Sequence, residues 1–457
     1  MKTRRALILD GTDPADKAQN RVRDALLSAY RKREADVTIH GLHDMKLAHC
    51  VGCFGCWIKT PGVCVHRDAG REINREMINC DEVVLLSPVV FGGYSYALKR
   101  MVDRFIPLLH PNLGIFHGEI HHRKRYTRYP RLVSIGIQKE TDREEEKIFK
   151  ITAGRNTINF HAPGYAAEVV HGAMDFEELH RAIGSALDRG DEIVRDPEVK
   201  ALMNSLIDDA QPAARGRGKN ALLIVGSPKT GPSTSGELGS QLMRKLADNG
   251  WETGTITVRK SLFAGEKRSH FLDLIDRADL LVLAFPLYID ALPALVVKAL
   301  EEIRDHRKAH PRETPQRFFA LANNGFAEAY QNAPALAMCR RAALESGMTW
   351  AGGLAMGAGE ALCAGQELAS KSRKGPPVQH ILRALGHAAD TLDRDGPVTA
   401  DIQDLMSRCP IPLMPFTLWR RLFPLFAAAA WKKQASIHDL AARDMGLTPY
   451  RGLNGGN

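Results

Sequence analysis

Short apolar runs alternate along the chain with stretches in which apolar residues recur every three to four positions. Ala6-Leu7-Ile8-Leu9-Asp10 ends at Gly11-Thr12, and Leu26, Leu27 and Tyr30 then follow at helical spacing. Asp36-Val37-Thr38-Ile39-His40 reads as a second strand, so the chain opens with the strand, helix, strand order of a parallel sheet. Glu82 to Pro88, Leu132 to Ile137 and Tyr165 to Val170 read as three further strands. Helices are predicted near 73–79 and over 176–194.

The same plan returns in the second half. Ala221-Leu222-Leu223-Ile224-Val225 repeats the opening strand 215 residues on (221 − 6), and Asp279 to Pro286 repeats Asp81 to Pro88 198 residues on (279 − 81). The two offsets differ by 17, close to the length of a cysteine-bearing loop present only in the first half. The pattern predicts an α/β protein with two tandem doubly wound parallel sheets and a helical C-terminal extension. The expected boundaries are 1–200, a polar linker at 201–219 centred on Ala210-Gln211-Pro212, a second domain at 220–370 and the extension at 371–457. In the extension, 379–394 reads as an amphipathic helix, and the Trp- and Arg-bearing stretch from Leu418 to Lys433 reads as a helix packed over a domain or dimer interface, its stripe interrupted at Pro424, with a membrane surface as the other reading of its aromatics and cations.

Length and composition fit this plan. A chain of 457 residues exceeds one ordinary core. No apolar run reaches the ~20 residues of a membrane span, and Met1 to Arg5 opens a strand in place of a signal peptide, so a cytoplasmic location is expected. The net charge of +9 is dispersed except in His117 to Arg131, which reads as a solvated basic loop with surface histidines at 121 and 122. No nucleic-acid fold surrounds it, so nucleic acid is not expected as a partner.

Four of the eight cysteines, Cys50, Cys53, Cys56 and Cys64, fall within fifteen residues at C-x2-C-x2-C-x7-C spacing. Thiols gathered this closely suit a soft metal, and a compact run of this type suits a [4Fe-4S] cluster. Zinc and metal-free thiols are the other two readings, although structural zinc ordinarily takes two separated knuckles.

The second half carries three loops in order at strand ends. Gly226 to Ser235 follows a strand and precedes a helix, and Ser227, Lys229, Thr230, Ser233, Thr234 and Ser235 offer hydroxyls, backbone N–H groups and one cation for a monophosphate. It lacks the lysine that a P-loop requires, since Pro232 follows the second glycine. Pro286, Leu287, Tyr288 and Ile289 offer an apolar, aromatic edge to a planar ring, and Asn323, Asn324 and Gly325 its polar partner. Together they read as a flavin site at the switch point of the sheet.

These loops resemble those of the flavodoxin-like NAD(P)H-dependent FMN reductase family, and the four cysteines are similar to the motif of the iron-sulfur flavoproteins in that superfamily. The resemblance covers roughly 6–175 and 220–362. It implies an oxidoreductase that passes electrons between FMN and a [4Fe-4S] cluster, with NAD(P)H or a protein as donor and a small molecule or protein as acceptor. It also implies a homo-oligomer. The isoalloxazine carries the chemistry, so no side chain is assigned a catalytic role. The first half departs from the pattern, because Asp13 and Asp16 occupy its phosphate loop and would repel FMN. Two alternatives are a zinc-bound, flavin-free regulatory or binding protein on the same scaffolds, and a simple FMN-dependent quinone or nitro reductase without a cluster.

Overall fold

The structure is a computed structural model that describes residues 3–213, 218–261, 265–314, 316–368, 370, 378–411 and 413–450. Residues 1–195 and 424–457 form one compact unit and residues 196–423 the other.

In the first unit, β1 (Arg5–Asp10), β2 (Asp36–Gly41), β3 (Glu82–Val90), β7 (Arg131–Gln138) and β8 (Tyr165–His171) form a parallel sheet in the order β2-β1-β3-β7-β8. The short β4 (Gly93–Tyr94) folds back on β3. This is the 2-1-3-4-5 order of a flavodoxin-like sheet. The predicted strands occupy these places because each is a short apolar run. Ile8, Val84 and Ile135 meet Val22, Leu26 and Leu179 in one core.

Between β3 and β7 the chain makes an antiparallel hairpin, β5 (Leu109–Phe116) with β6 (Glu119–Lys124). The hairpin corrects the reading of 117–131 as a solvated loop. Glu119 and His121 are fully buried, as are Arg125, Tyr126 and Tyr129. Their partners come from elsewhere in the chain. Arg155, on the helix Arg143–Asn159, holds Glu119 through two hydrogen bonds of 2.9 and 2.5 Å, and His121 Nδ1 lies 3.1 Å from Asn159 Oδ1.

Burial alone would raise the Glu119 carboxyl, but hydrogen bonds from His121 and Arg155 outweigh it and hold it down at about 2. A depressed carboxyl contributes stability that is complete above its unfolded value of 4.5 and is lost as pH falls through 4.5 toward 2. Glu119→Gln is therefore expected to lower stability by about 3 kcal/mol at neutral pH. Urea unfolding from pH 7 to pH 2 should show the gap to the parent closing below about pH 4.5, and a pH-independent gap would refute the pairing.

The second unit repeats the topology without a hairpin. β9 (Asn220–Val225), β10 (Glu252–Thr257), β11 (Leu280–Pro286), β12 (Arg317–Asn323) and β13 (Thr349–Met356) run parallel in the order β10-β9-β11-β12-β13. Leu223, Val282, Phe319 and Leu354 meet Leu238 and Leu242 of the helix Thr234–Asp248 on one face.

Three features of the connecting and terminal segments differ from expectation. The helix Asp196–Asp208 runs through the first part of the expected linker, because Val199, Leu202, Met203 and Leu206 give it one buried face. Residues 214–217 of that linker lie outside the described residues. The expected extension divides in two: Ile381, Leu385 and Leu392 of the helix Gln379–Asp393 join the core of the second unit, whereas residues 424–457 belong to the first. Pro424 lies inside a continuous helix, Phe416–Ser436, and does not end it.

Candidate functional site

The order of the second sheet places its switch point between β9 and β11, and the loops after β9, β11 and β12 share its carboxyl edge. The sequence-predicted residues lie on these three loops. Ser233 caps the helix Thr234–Asp248, its hydroxyl accepting from Gly236 N at 3.1 Å. Thr234 is buried and donates to the Gly359 carbonyl at 3.3 Å. Ser235, one residue on, is 1% exposed, and its Oγ has no hydrogen-bond partner. Ser227 is buried, Thr230 is exposed, and Lys229 reaches Glu360 with Nζ 3.2 Å from a carboxylate oxygen. A hydroxyl left unmet behind a helix N-terminus costs stability unless a ligand answers it.

The loop after β11 is a tight turn. Tyr288 and Ala291 exchange backbone hydrogen bonds of 3.0 and 3.2 Å, and Ile289 and Asp290 between them have φ of 46° and 56°. A β-branched residue in the left-handed region is strained, and strain of this kind gathers at binding loops. Leu287 N donates to the Asn323 carbonyl at 2.7 Å, tying this loop to the next. Pro286, Leu287, Tyr288 and Ile289 are half-buried, in keeping with an edge that a ring would cover.

Asn323 and Asn324 diverge in role. Asn323 is buried with Oδ1 unpartnered, while Asn324 spends its amide within its own loop, Nδ2 on the Glu328 carbonyl at 2.9 Å and Oδ1 on Phe326 N at 3.0 Å. Gly325 faces open space. FMN fits this edge on two grounds, a buried hydroxyl and a buried amide oxygen, both unmet, beside a lysine and a helix N-terminus. Ser227, Lys229 and Ser235 would hold the phosphate, and Asn323 with residues 286–289 the ring.

The segment after β13 was not foreseen. Glu360 pairs with Lys229, Gly359 lies against Thr234 and Asn323, and a Cβ on Gly365 would stand 2.6 Å from Pro232. Three glycines in Gly357-Ala358-Gly359-Glu360 to Gly365 were the available signal, since backbone packs this closely only without side chains.

The corresponding loop of the first unit does not fit a phosphate. Asp16 caps the helix Lys17–Arg31, accepting from Ala18 N and Gln19 N, and Asp13 accepts from Ala15 N. The N–H groups that an anion needs already hold carboxylates.

The cysteine loop lies between β2 and the helix Gly70–Asn79. Positive φ at Gly52 and Phe54 turns the backbone around Cys53, and Asp68 holds the loop's far end, accepting from Ala48 N and from Arg104. Cys53 is exposed, Cys50 half-buried, Cys56 and Cys64 buried. Burial first, then Asp103 and the neighbouring thiols Cys64 and Cys53, pushes Cys50 up to about 12. Cys56 is raised well above its ordinary value by burial and then by Cys50, Cys64 and Cys53. The four thiols are thus neighbours. Among the described residues, however, no group of three or more His, Cys, Asp or Glu side chains is drawn together to hold a metal ion.

The donor set still fits an anionic thiolate centre. Arg104 is 1% exposed, and although its burial works against its charge, Asp68 and the Cys64 sulfur beside it hold it charged. A buried cation against one of the four thiols suits negative charge there. Cys50, Cys53, Cys56 and Cys64 would be the ligands.

The loop is roofed by the end of the chain. Trp57 meets Trp431 edge-on at 5.0 Å and stacks on Phe54 at 5.3 Å, and Cys56, Ala435 and Met445 complete this cluster. Arg125 pins the roof by donating to the Met445 and Leu447 carbonyls at 2.8 and 2.7 Å.

Residues 5–121 match the model of the NADPH-dependent FMN reductase family. The match runs from β1 through the cysteine loop into β6, and so falls on the first unit. The chain is similar to an iron-sulfur flavoprotein of Methanocaldococcus jannaschii, 39% identical over 87 residues, 19% of this chain and 44% of that one. An iron-sulfur flavoprotein of Archaeoglobus fulgidus is 33% identical over 99 residues, 21% of this chain and 44% of that one. The chain thus spans less than half the length of these relatives. Among solved structures, an NAD(P)H:quinone oxidoreductase from Methanothermobacter marburgensis aligns with 42% of this chain and 100% of its own, at 12% identity and a TM-score of 0.32. An FMN-dependent NADH-azoreductase from Bacillus anthracis aligns with 40% of this chain and 95% of its own, at 14% identity and a TM-score of 0.31. Likeness at these scores adds nothing to the topology described above.

Proposed function

We propose that the protein is an FMN-dependent oxidoreductase that takes electrons from NAD(P)H, holds FMN on the second unit and carries a [4Fe-4S] cluster on Cys50, Cys53, Cys56 and Cys64, serving a small-molecule or protein acceptor. The observation that carries the flavin assignment is the buried, unpartnered Ser235 hydroxyl at the helix N-terminus after β9. FMN, when bound, supplies two-electron hydride acceptance and one-electron release, and a cluster supplies one-electron carriage. The chain's own work is positioning. Ser227 and Ser235 donate to the phosphate, Lys229 balances its charge, and the strained Tyr288 to Ala291 turn fixes the ring edge. Around the cysteines, Trp57 and Trp431 exclude water, and Arg104 offsets thiolate charge. The relatives' shared description as iron-sulfur flavoproteins supports pairing the two cofactors.

Glu360 opposes phosphate entry, because its carboxylate already occupies Lys229. Glu360→Gln is expected to tighten FMN binding about three- to tenfold, as one like charge beside a phosphate is removed. Flavin fluorescence titration of protein stripped of FMN checks this, and unchanged or weaker binding would place the phosphate elsewhere.

A second reading sets FMN on the first unit, since the family match falls there. Asp13 and Asp16 count against it. Flavin retained in full by second-unit variants at Ser235 and Lys229 would favour it.

A further inference from the structure

The helix Phe416–Ser436 has a composition unlike that of the rest of the chain. No acidic residue stands between Asp404 and Asp439, whereas Arg408, Arg420, Arg421, Lys432 and Lys433 do. Trp431 and Ala435 turn one side of the helix into the cluster over the cysteine loop. The opposite side, read at spacings of three and four, presents Leu425, Ala429, Lys432 and Ser436, all exposed. Leu425 is 67% exposed, Phe426 54%, and Ile437, just past the helix, 69%.

Large apolar side chains collected on one face and flanked by cations mark a binding surface. What binds there follows from charge. A second copy of the chain would set Lys432 and Lys433 against their own images in a molecule of net charge +9, and like charges across a contact oppose association. A nucleic acid would answer the cations but leave Leu425 and Ile437 in water. An anionic lipid surface answers both, its phosphates meeting the cations and its headgroup boundary taking the apolar side chains. No helix among the described residues is long and apolar enough to cross a membrane. We propose that this face docks on an anionic membrane surface, with the helix lying in the plane of the interface.

Flotation of the full chain with vesicles tests the proposal. The protein is expected to float with phosphatidylcholine vesicles containing about 30% phosphatidylglycerol, to bind pure phosphatidylcholine at least about tenfold more weakly, and to be released by 0.5 M salt. Leu425→Glu with Ile437→Glu should cut binding to the anionic vesicles at least about tenfold, and so should Lys432→Glu with Lys433→Glu made separately. Both pairs are exposed, so an unchanged melting temperature shows that the fold is retained. Protein that stays with the lipid-free fraction, or that floats equally with and without the substitutions, overturns the proposal. So does a dimer that the Leu425→Glu and Ile437→Glu pair dissociates without any vesicle binding, since that result assigns the face to a second copy.

Discussion

Protein purified without oxygen is expected to hold about four iron atoms and four sulfides per chain, and Cys56→Ser to lower that iron at least about tenfold while leaving flavin in place. Cys56 is the informative position because it is buried and its thiol is pushed up by burial and by the three other thiols of the loop. Burial holds the Cys50 and Cys56 thiols in their protonated form, and assembly of a cluster must release those protons. Iron retention is therefore expected to weaken as pH falls. Cys339→Ser is the control, being buried outside the loop. Because serine keeps nearly the volume of cysteine, the roof of Trp57 and Trp431 should survive, and an unchanged near-ultraviolet circular dichroism signal would separate lost ligation from lost fold. Zinc in place of iron would sink the cluster and favour the flavin-free binding protein. Flavin without either metal would leave an ordinary reductase whose four thiols are incidental.

Ser235→Ala is expected to weaken FMN binding about 10- to 100-fold, the worth of one hydrogen bond to a charged group. The apo-protein should melt at the same temperature or higher, since the substitution deletes a buried hydroxyl that has no partner. That opposite movement makes the residue diagnostic. Ser233→Ala, in contrast, removes the helix cap on Gly236 N and should cost about 1 kcal/mol of stability whether or not flavin binds there. Flavin fluorescence titration alongside thermal melts reads both quantities. Undiminished affinity in Ser235→Ala would remove the phosphate from this helix end and turn attention to the first unit, where the family match lies.

The candidate site was legible in part. The loops after β9, β11 and β12 announce themselves because hydroxyls, glycines and an aromatic follow apolar strands directly. Glu360 and the segment behind it did not, since their relation to Lys229 exists only once β13 has delivered them to the same sheet edge. Nor did the spent amide of Asn324, which sequence cannot tell from the unmet amide of Asn323.

The sequence by itself determined the two sheets. A continuous apolar run such as Val83 to Leu86 or Leu280 to Phe285 is stable only between two covering layers, so its burial and its strand state follow locally. The exposed edge strand β10 escaped this logic, since with water on its sides it carries no apolar signature. Tertiary structure alone decided the rest. Glu119 and His121 look like surface groups until Arg155 and Asn159, more than thirty residues on, supply partners that make their burial affordable. Likewise the end of the chain covers the cysteine loop because Trp57 and Trp431, 374 residues apart (431 − 57), find apolar contact in each other, and no local pattern encodes a contact at that separation.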